Sequence, residues 1–330
     1  ICASWHQYKA QEEIVNLAKK YKIDVTFFHG RGGSAGRGGG PIQATLRSQP
    51  PNSVNGKIRI TDQGEVIQQK YGYEPLAKYN LCSYIGAVAE ATLNPPPKPK
   101  DKWRSLIEKM SDISKSSYRK NINQSTEFIK YFKTVTPHRA LGKLSIGSRP
   151  SKRKNVDNIK SLRAIPWVFA WTQIRLMLPA WLGSAEALRY SHIKKFRSTL
   201  YDMEKNWPFF NSMLDMLDMV ISKADPDISK IYEEYLADDE LKRVGKKLRF
   251  QFDVIKKLNK KITPKEIIKL RKQFRTSVIV RNIYSEVLNI IQPIVISKLK
   301  KSKTIKDKKY LNDALMTSIA GISAAMKNTG

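Results

Sequence analysis

Val25-Thr26-Phe27-Phe28-His29 runs directly into Gly30-Arg31-Gly32-Gly33-Ser34-Ala35-Gly36-Arg37-Gly38-Gly39-Gly40. Seven of these last eleven residues are glycine and two are arginine. An apolar run, a histidine and a glycine loop predict a strand that feeds an anion-binding turn. Backbone without side chains can wrap closely round an anion, with amide N–H groups pointing inward and left-handed φ/ψ carrying no penalty. Arg31 and Arg37 add planar forks that match phosphate or carboxylate oxygens two at a time. Other readings share the composition: a flexible linker, or an RGG-type segment that tracks RNA. The loop is not a P-loop, because no Gly-Lys-Ser/Thr ends it. It is also a poor dinucleotide fingerprint, because Arg37-Gly38-Gly39-Gly40-Pro41 does not read as a helix start.

Outward from the loop, punctuation sets the elements. Residues 3–22 read as a helix, with Trp5, Tyr8, Ile14, Leu17, Ala18 and Tyr21 at helical spacing. Asp24 to Phe28 reads as a strand, and a short helix after the loop reaches Ser48. Pro50-Pro51-Asn52 is a loop, and Lys57 to Thr61 alternates like a strand or hairpin arm. Leu76 to Leu93 is helical and must stop at Asn94-Pro95-Pro96-Pro97. Trp103 to Phe132 reads as two helices, and Ser145 to Lys160 as a basic loop. Periodicity alone leaves Ile165 to Trp171 open between a strand and a buried helix. Beyond residue 184 the pattern is nearly all helix. Met213, Met216, Leu217 and Val220 form one apolar stripe, and Leu311, Leu315, Ile319, Ile322 and Met326 another, both read as core.

Composition excludes several classes. Two cysteines, Cys2 and Cys82, are too few for a disulfide framework and point to a reducing, cytoplasmic setting. The longest apolar stretch, Ala164 to Gly183, is broken by Pro166, Gln173, Arg175 and Pro179, and reads as buried core rather than a membrane span. The chain starts Ile1-Cys2-Ala3-Ser4 with no initiator methionine. This is read as an incomplete polypeptide, with a removed targeting sequence as the alternative. The net charge of +31 invites a nucleic-acid role. Yet the lysines are spread out apart from Lys298 to Lys309, and no aromatic interleaving or Cys/His spacing accompanies them. A decayed basic fragment that binds nucleic acid is therefore the weaker alternative.

The words around the loop, FHGRGGSAGRGGGP (Phe28–Pro41), QATLRSQPP (Gln43–Pro51) and TDQGEVI (Thr61–Ile67), closely resemble the phosphoenolpyruvate carboxylase family, bacterial type. So do IGSRPSKRK (Ile146–Lys154), SLRAIPWVFAWTQ (Ser161–Gln173), LPAWLG (Leu178–Gly183), WPFF (Trp207–Phe210), SKAD (Ser222–Asp225), VRNIY (Val280–Tyr284) and KNTG (Lys327–Gly330), in the family's order. The resemblance spans the whole chain but only the last third or so of such an enzyme. It implies a mostly α fold that holds the C-terminal part of a (β/α)₈ TIM-type barrel with many additional helices. Catalytic loops would lie at the C-terminal ends of the strands. Residues 1–183 would be the partial barrel with its glycine-rich catalytic loop, and 184–330 a helical region with an inhibitor-type site.

The implied reaction is anaplerotic carbon dioxide fixation, which feeds the tricarboxylic acid cycle: bicarbonate and phosphoenolpyruvate give oxaloacetate and phosphate. By resemblance, Arg31 and Arg163 grip the substrate phosphate, and Arg37 serves bicarbonate or carboxyphosphate. His29 lines the same pocket, and Arg149 lies near it. Lys223, Arg281 and Asn328, with Arg37 shared, match a feedback site for aspartate or malate. Read from the residues alone, Arg149 is a surface charge, Arg163 a core-edge side chain and His29 a structural histidine. His6, His138 and His192 are read as structural.

Departures accompany the match. Where the family has a glycine pair and a glutamate before SLRAIP, this chain has Val156-Asp157-Asn158-Ile159-Lys160. After SKAD it has Pro226-Asp227-Ile228 in place of Leu-Trp-Leu, so the next helix should begin differently. Members of the family are usually near neutral or acidic; drift in an AT-rich genome would account for the excess lysine. The family's TAHPT histidine, its YSDSxKDAG lysine, a further phosphate-binding arginine and its two acidic ligands for Mg²⁺ or Mn²⁺ all precede the matched region. The 330 residues alone are therefore expected to lack turnover, and the full-length protein to be an allosteric homotetramer.

Overall fold

The computed structural model describes residues 1–29, 42–61, 64–123, 125–141, 164–262 and 272–326. The fold is mostly α. Its elements, in chain order, begin with α1 (Cys2–Lys20), β1 (Phe28–His29), α2 (Ile42–Arg47) and β2 (Arg59–Ile60). Then come α3 (Gly64–Tyr71), α4 (Glu74–Leu93), α5 (Asp101–Asn123), α6 (Thr126–Val135), α7 (His138–Leu141) and α8 (Ala164–Gln173). They continue with α9 (Leu178–Trp181), α10 (Ser184–Ser191), α11 (Arg197–Asn206), α12 (Pro208–Lys223) and α13 (Pro226–Leu236). The last three are α14 (Asp239–Ile262), α15 (Lys272–Lys301) and α16 (Ile305–Ala325).

The chain divides into two compact units. The first comprises Ile1–Lys115, Glu186–Asp218 and Leu258–Pro264; the second comprises Ser116–Ala185, Met219–Lys257 and Lys265–Gly330. In the first, β1 and β2 pair in parallel, Phe28 opposite Arg59 and His29 opposite Ile60. The strand expected over Asp24–Phe28 is shorter: the paired residues are Phe28 and His29, with the Phe27 carbonyl accepting the Arg59 N–H at 3.4 Å just before them. Glu74–Leu93 ends at Asn94 as the three prolines require, with the Asn94 N–H still donating to the Glu90 carbonyl. An aromatic cluster fills the core. Trp5 meets Trp207 edge-on at 5.8 Å, and Trp207 stacks on Trp103 at 5.6 Å. Each such pair adds about 1 kcal/mol beyond burial. The polar tip of Trp103 donates to Asp202, which Lys100 and Lys102 also contact. Those hydrogen bonds, the one from Lys102 foremost, hold the Asp202 carboxyl well below the usual range. A second apolar cluster packs α2 on α4 through Leu46, Val54, Ala87 and Ala91.

The second unit settles the ambiguity at Ile165–Trp171 in favour of helix α8. Pro166 sits in its first turn, where backbone N–H groups lack helical acceptors anyway. Trp171 is fully buried and stacks on Phe128 at 5.6 Å and on Tyr131 at 6.2 Å. The carboxylate of Glu233 is buried and receives Tyr131 Oη at 2.9 Å and the Arg249 guanidinium. It also occupies the space that a Cβ on Gly245 would need. The stripe read as core on α16 is buried at Leu315, Ile319, Ile322 and Met326. Gly321 lets α16 approach α15 so closely that a Cβ there would lie 2.5 Å from Leu288 Cδ1. Among the described residues, no helix is long and apolar enough to cross a membrane.

α13 starts directly after SKAD, at Asp225-Pro226. Asp225 is its N-cap, its carboxylate accepting from the N–H groups of Asp227 and Ile228 at 3.1 and 3.2 Å. Pro226 takes the first helical position, where its missing N–H is no loss.

Candidate functional site

Of the residues singled out from sequence, the structure describes His29, Lys223 and Arg281. Arg31, Arg37, Arg149, Arg163 and Asn328 lie outside the described residues, as does the departure at Lys160.

In the first unit, His29 closes β1. Its carbonyl accepts the Thr61 N–H at 3.0 Å, which fixes the strand end that leads into the glycine loop. The side chain is buried, and burial pushes the imidazole pKa below its ordinary value. At neutral pH the ring is therefore uncharged, with one nitrogen donating and the other accepting.

In the second unit, Lys223 and Arg281 converge. Lys223 is the last residue of α12, and its Nζ donates to the Met326 carbonyl at 3.2 Å. Arg281, in the first half of α15, donates from Nη1 to the Ala325 carbonyl at 2.7 Å. Both cations therefore sit on the C-terminal end of α16, where carbonyls without helical partners and the negative end of the helix dipole attract them. Burial lowers the Arg281 pKa, with Tyr284 opposing. Its guanidinium nevertheless stays charged at any physiological pH.

Sequence reasoning missed Arg175, which appeared there only as an interruption of an apolar run. It is fully buried. Its Nε donates to the Lys223 carbonyl at 3.0 Å, Nη2 to Asn282 Oδ1 at 3.0 Å and Nη1 to Ser285 Oγ at 3.3 Å. Burial again lowers its pKa, while Asp225 and Glu286 favour the charged form through space. The signal available in the sequence was the residue type itself: an arginine inside an apolar run must find acceptors there. Beside it, Tyr232, Asn289 and Gln292 form a buried polar network with Gln173.

Among the described residues, no group of three His, Cys, Asp or Glu side chains could hold a metal ion. The divalent cation implied by the sequence resemblance has no ligand set there.

What the geometry defines is a mostly helical chain with two basic side chains gathered on one helix C-terminus and a neutral, buried histidine at the end of β1. The family model for phosphoenolpyruvate carboxylase matches residues 1–330, so the chain belongs to that family. Curated relatives agree. A phosphoenolpyruvate carboxylase of Marinomonas sp. (strain MWYL1) is 44% identical over 331 residues, covering 100% of this chain and 37% of that protein. One from Shewanella oneidensis is 44% identical over 332 residues, covering 100% and 38%. One from Acinetobacter baumannii is 45% identical over 332 residues, covering 99% and 37%. The chain thus spans a little over a third of the length of the curated relatives it matches.

Proposed function

We propose that this chain is the C-terminal, substrate-gripping portion of a phosphoenolpyruvate carboxylase. The observation that carries the reading is the unbroken family match over residues 1–330, with every quoted motif in order. Residues 1–183 belong to a (β/α)₈ barrel, a reading supported by the parallel register of β1 and β2 and by the histidine at the strand's C-terminal end. Residues 184–330 carry regulation.

Phosphoenolpyruvate brings a phosphate and a carboxylate, and bicarbonate a further negative charge. Bringing them together needs fixed positive charge in a cleft shielded from water. Arg31 and Arg163 hold the phosphate; Arg37 holds bicarbonate; Arg149 adds to the field. A bicarbonate oxygen attacks phosphorus and the P–O bond to the enol breaks. This leaves carboxyphosphate and the pyruvate enolate. Carboxyphosphate releases CO₂ and phosphate, and the enolate carbon takes up the CO₂ to give oxaloacetate. The chain's share of this chemistry is positioning and charge neutralisation. The neutral His29 imidazole walls the pocket without adding charge and can pass a proton. Mg²⁺ or Mn²⁺ belongs to the upstream portion, together with the catalytic histidine and lysine, so the 330 residues alone do not turn over.

Lys223 and Arg281, with Asn328 and Arg37, take aspartate or malate. The convergence of Lys223 and Arg281 on one helix end supports this reading. An inhibitor that captures Arg37 withdraws it from the catalytic loop, which couples the two sites. The full-length protein is read as a cytoplasmic homotetramer.

A chimera tests the proposal. These 330 residues replace the matching portion of the Marinomonas protein, and oxaloacetate is followed through malate dehydrogenase. The chimera is expected to turn over phosphoenolpyruvate and bicarbonate, and the isolated chain to be silent. A folded but silent chimera, or an active isolated chain, contradicts the reading.

A further inference from the structure

We propose that Arg175 is a positioning residue that holds Lys223 and Arg281 together at the C-terminal end of α16, as a pair able to take a dicarboxylate. The assignment of the ligand rests on the regulatory reading above; the positioning itself rests on geometry.

Arg175 binds the Lys223 turn in both directions. Its Nε donates to the Lys223 carbonyl at 3.0 Å, and its own carbonyl accepts the Asp225 N–H at 2.7 Å. The far end of the same side chain reaches α15. Nη2 takes Asn282, the neighbour of Arg281, and Nη1 takes Ser285 almost one turn further on. One planar group therefore ties the residue that carries one cation to the helix that carries the other.

The backbone behind Arg175 is constrained by its dihedrals and hydrogen bonds. Its φ is +56°, in the left-handed region that side chains rarely adopt, and Met177 follows at +50°. The Arg175 N–H donates to the Thr172 carbonyl at 3.0 Å, and the Leu176 carbonyl accepts Trp181 Nε1 at 2.7 Å. Backbone held in a sparse region persists only where its surroundings over-determine it, and such strain gathers at functional positions.

The bonding is specific to arginine. Its three donating nitrogens end on a carbonyl, a hydroxyl and an amide oxygen, all uncharged. A lysine ammonium is a point charge and cannot span three acceptors in one plane. Uncharged acceptors leave the positive charge to be balanced through space, by Asp225 and Glu286. A site whose supporting side chains are fixed in this way keeps its ligand groups within a fraction of an ångström.

The test has two independent readouts on the 330-residue chain: calorimetric titration with L-aspartate, and amide hydrogen exchange over Ile322–Met326. The variants are Arg175→Gln, Arg175→Lys, the milder Asn282→Ala, Lys223→Ala, and Gly245→Ala as a destabilised control acting at Glu233. Both Arg175 variants are expected to speed exchange at Ile322–Met326 about tenfold beyond Gly245→Ala and to weaken aspartate about tenfold, with Asn282→Ala giving a smaller change in the same direction. Lys223→Ala abolishes the titration without disturbing the Arg175 bonds to α15. Exchange in the Arg175 variants no faster than in Gly245→Ala overturns the proposal, as does loosened exchange with unaltered aspartate affinity. Should Arg175→Gln fail to fold, Asn282→Ala decides by the same two readouts. If the native chain takes up no aspartate, the dicarboxylate reading fails, and the exchange measurement still decides whether Arg175 positions the pair.

Discussion

Lys223 and Arg281, far apart in the chain, donate to consecutive carbonyls, those of Met326 and Ala325, at the end of α16. Two cations on one helix terminus anchor it and concentrate positive charge at one place. Each contact is worth about 0.5–1 kcal/mol as a helix-end interaction. Lys223→Ala and Arg281→Ala should each lower unfolding stability by about that amount. Both should also loosen the last turn of α16 selectively, seen as faster amide exchange at Ile322–Met326 and little change at Leu315.

Two glycines distinguish tight packing that can yield from tight packing that cannot. A methyl group on Gly321 would meet the mobile tip of Leu288, so Gly321→Ala should cost about 1 kcal/mol and be partly rescued by Leu288→Ala. A methyl group on Gly245 would meet the Glu233 carboxylate, which is held by Tyr131 and Arg249 and cannot move without breaking a buried pair. Gly245→Ala should cost about 3 kcal/mol, read from urea denaturation midpoints.

The α13 N-cap should behave locally. Asp225→Ala removes the acceptor for two N–H groups and should cost about 1 kcal/mol, whereas Asp225→Asn or Asp225→Ser should recover most of it. Thermal unfolding of the three variants checks this. A loss in Asp225→Asn as large as in Asp225→Ala would assign the effect to charge rather than to capping.

Glu204 provides a pH signature in the first unit. Burial raises its pKa to about 7, from an ordinary value of 4.5. The folded state therefore holds a proton that the unfolded state has released between these values. Its contribution to stability is complete below about pH 4.5 and is lost as pH rises through about 7. Glu204→Gln should flatten the pH dependence of the melting temperature across that window and be relatively more stable at pH 8 than the parent. The side chain is partly solvated, so the gain should be modest.

Local chemistry made much of the fold legible. The prolines after Asn94 ended α4. Asp225-Pro226 after SKAD is itself a cap-and-proline helix start. Features that depend on partners were less legible. A strand exists where another strand pairs with it, so Asp24–Phe28 read as longer than the ladder at Phe28–His29. The run Ile165–Trp171 fits a strand or a helix equally until its neighbours are known. Arg175 was invisible for the same reason. Its acceptors come from Lys223, Asn282 and Ser285, and its left-handed backbone stands where glycine or asparagine would have been the recognisable signal. For the candidate site, the motifs named Lys223 and Arg281, but only the fold shows that one helix end joins them.

On the proposed function, Arg31 grips the substrate phosphate and Arg37 the bicarbonate, in concert with groups outside this chain. Steady-state carboxylation by the Marinomonas chimera, with and without Arg31→Ala and Arg37→Ala together, tests it most directly. The double variant is expected to lose at least about a hundredfold in turnover while keeping its fold and melting temperature. Undiminished carboxylation by the double variant would contradict it.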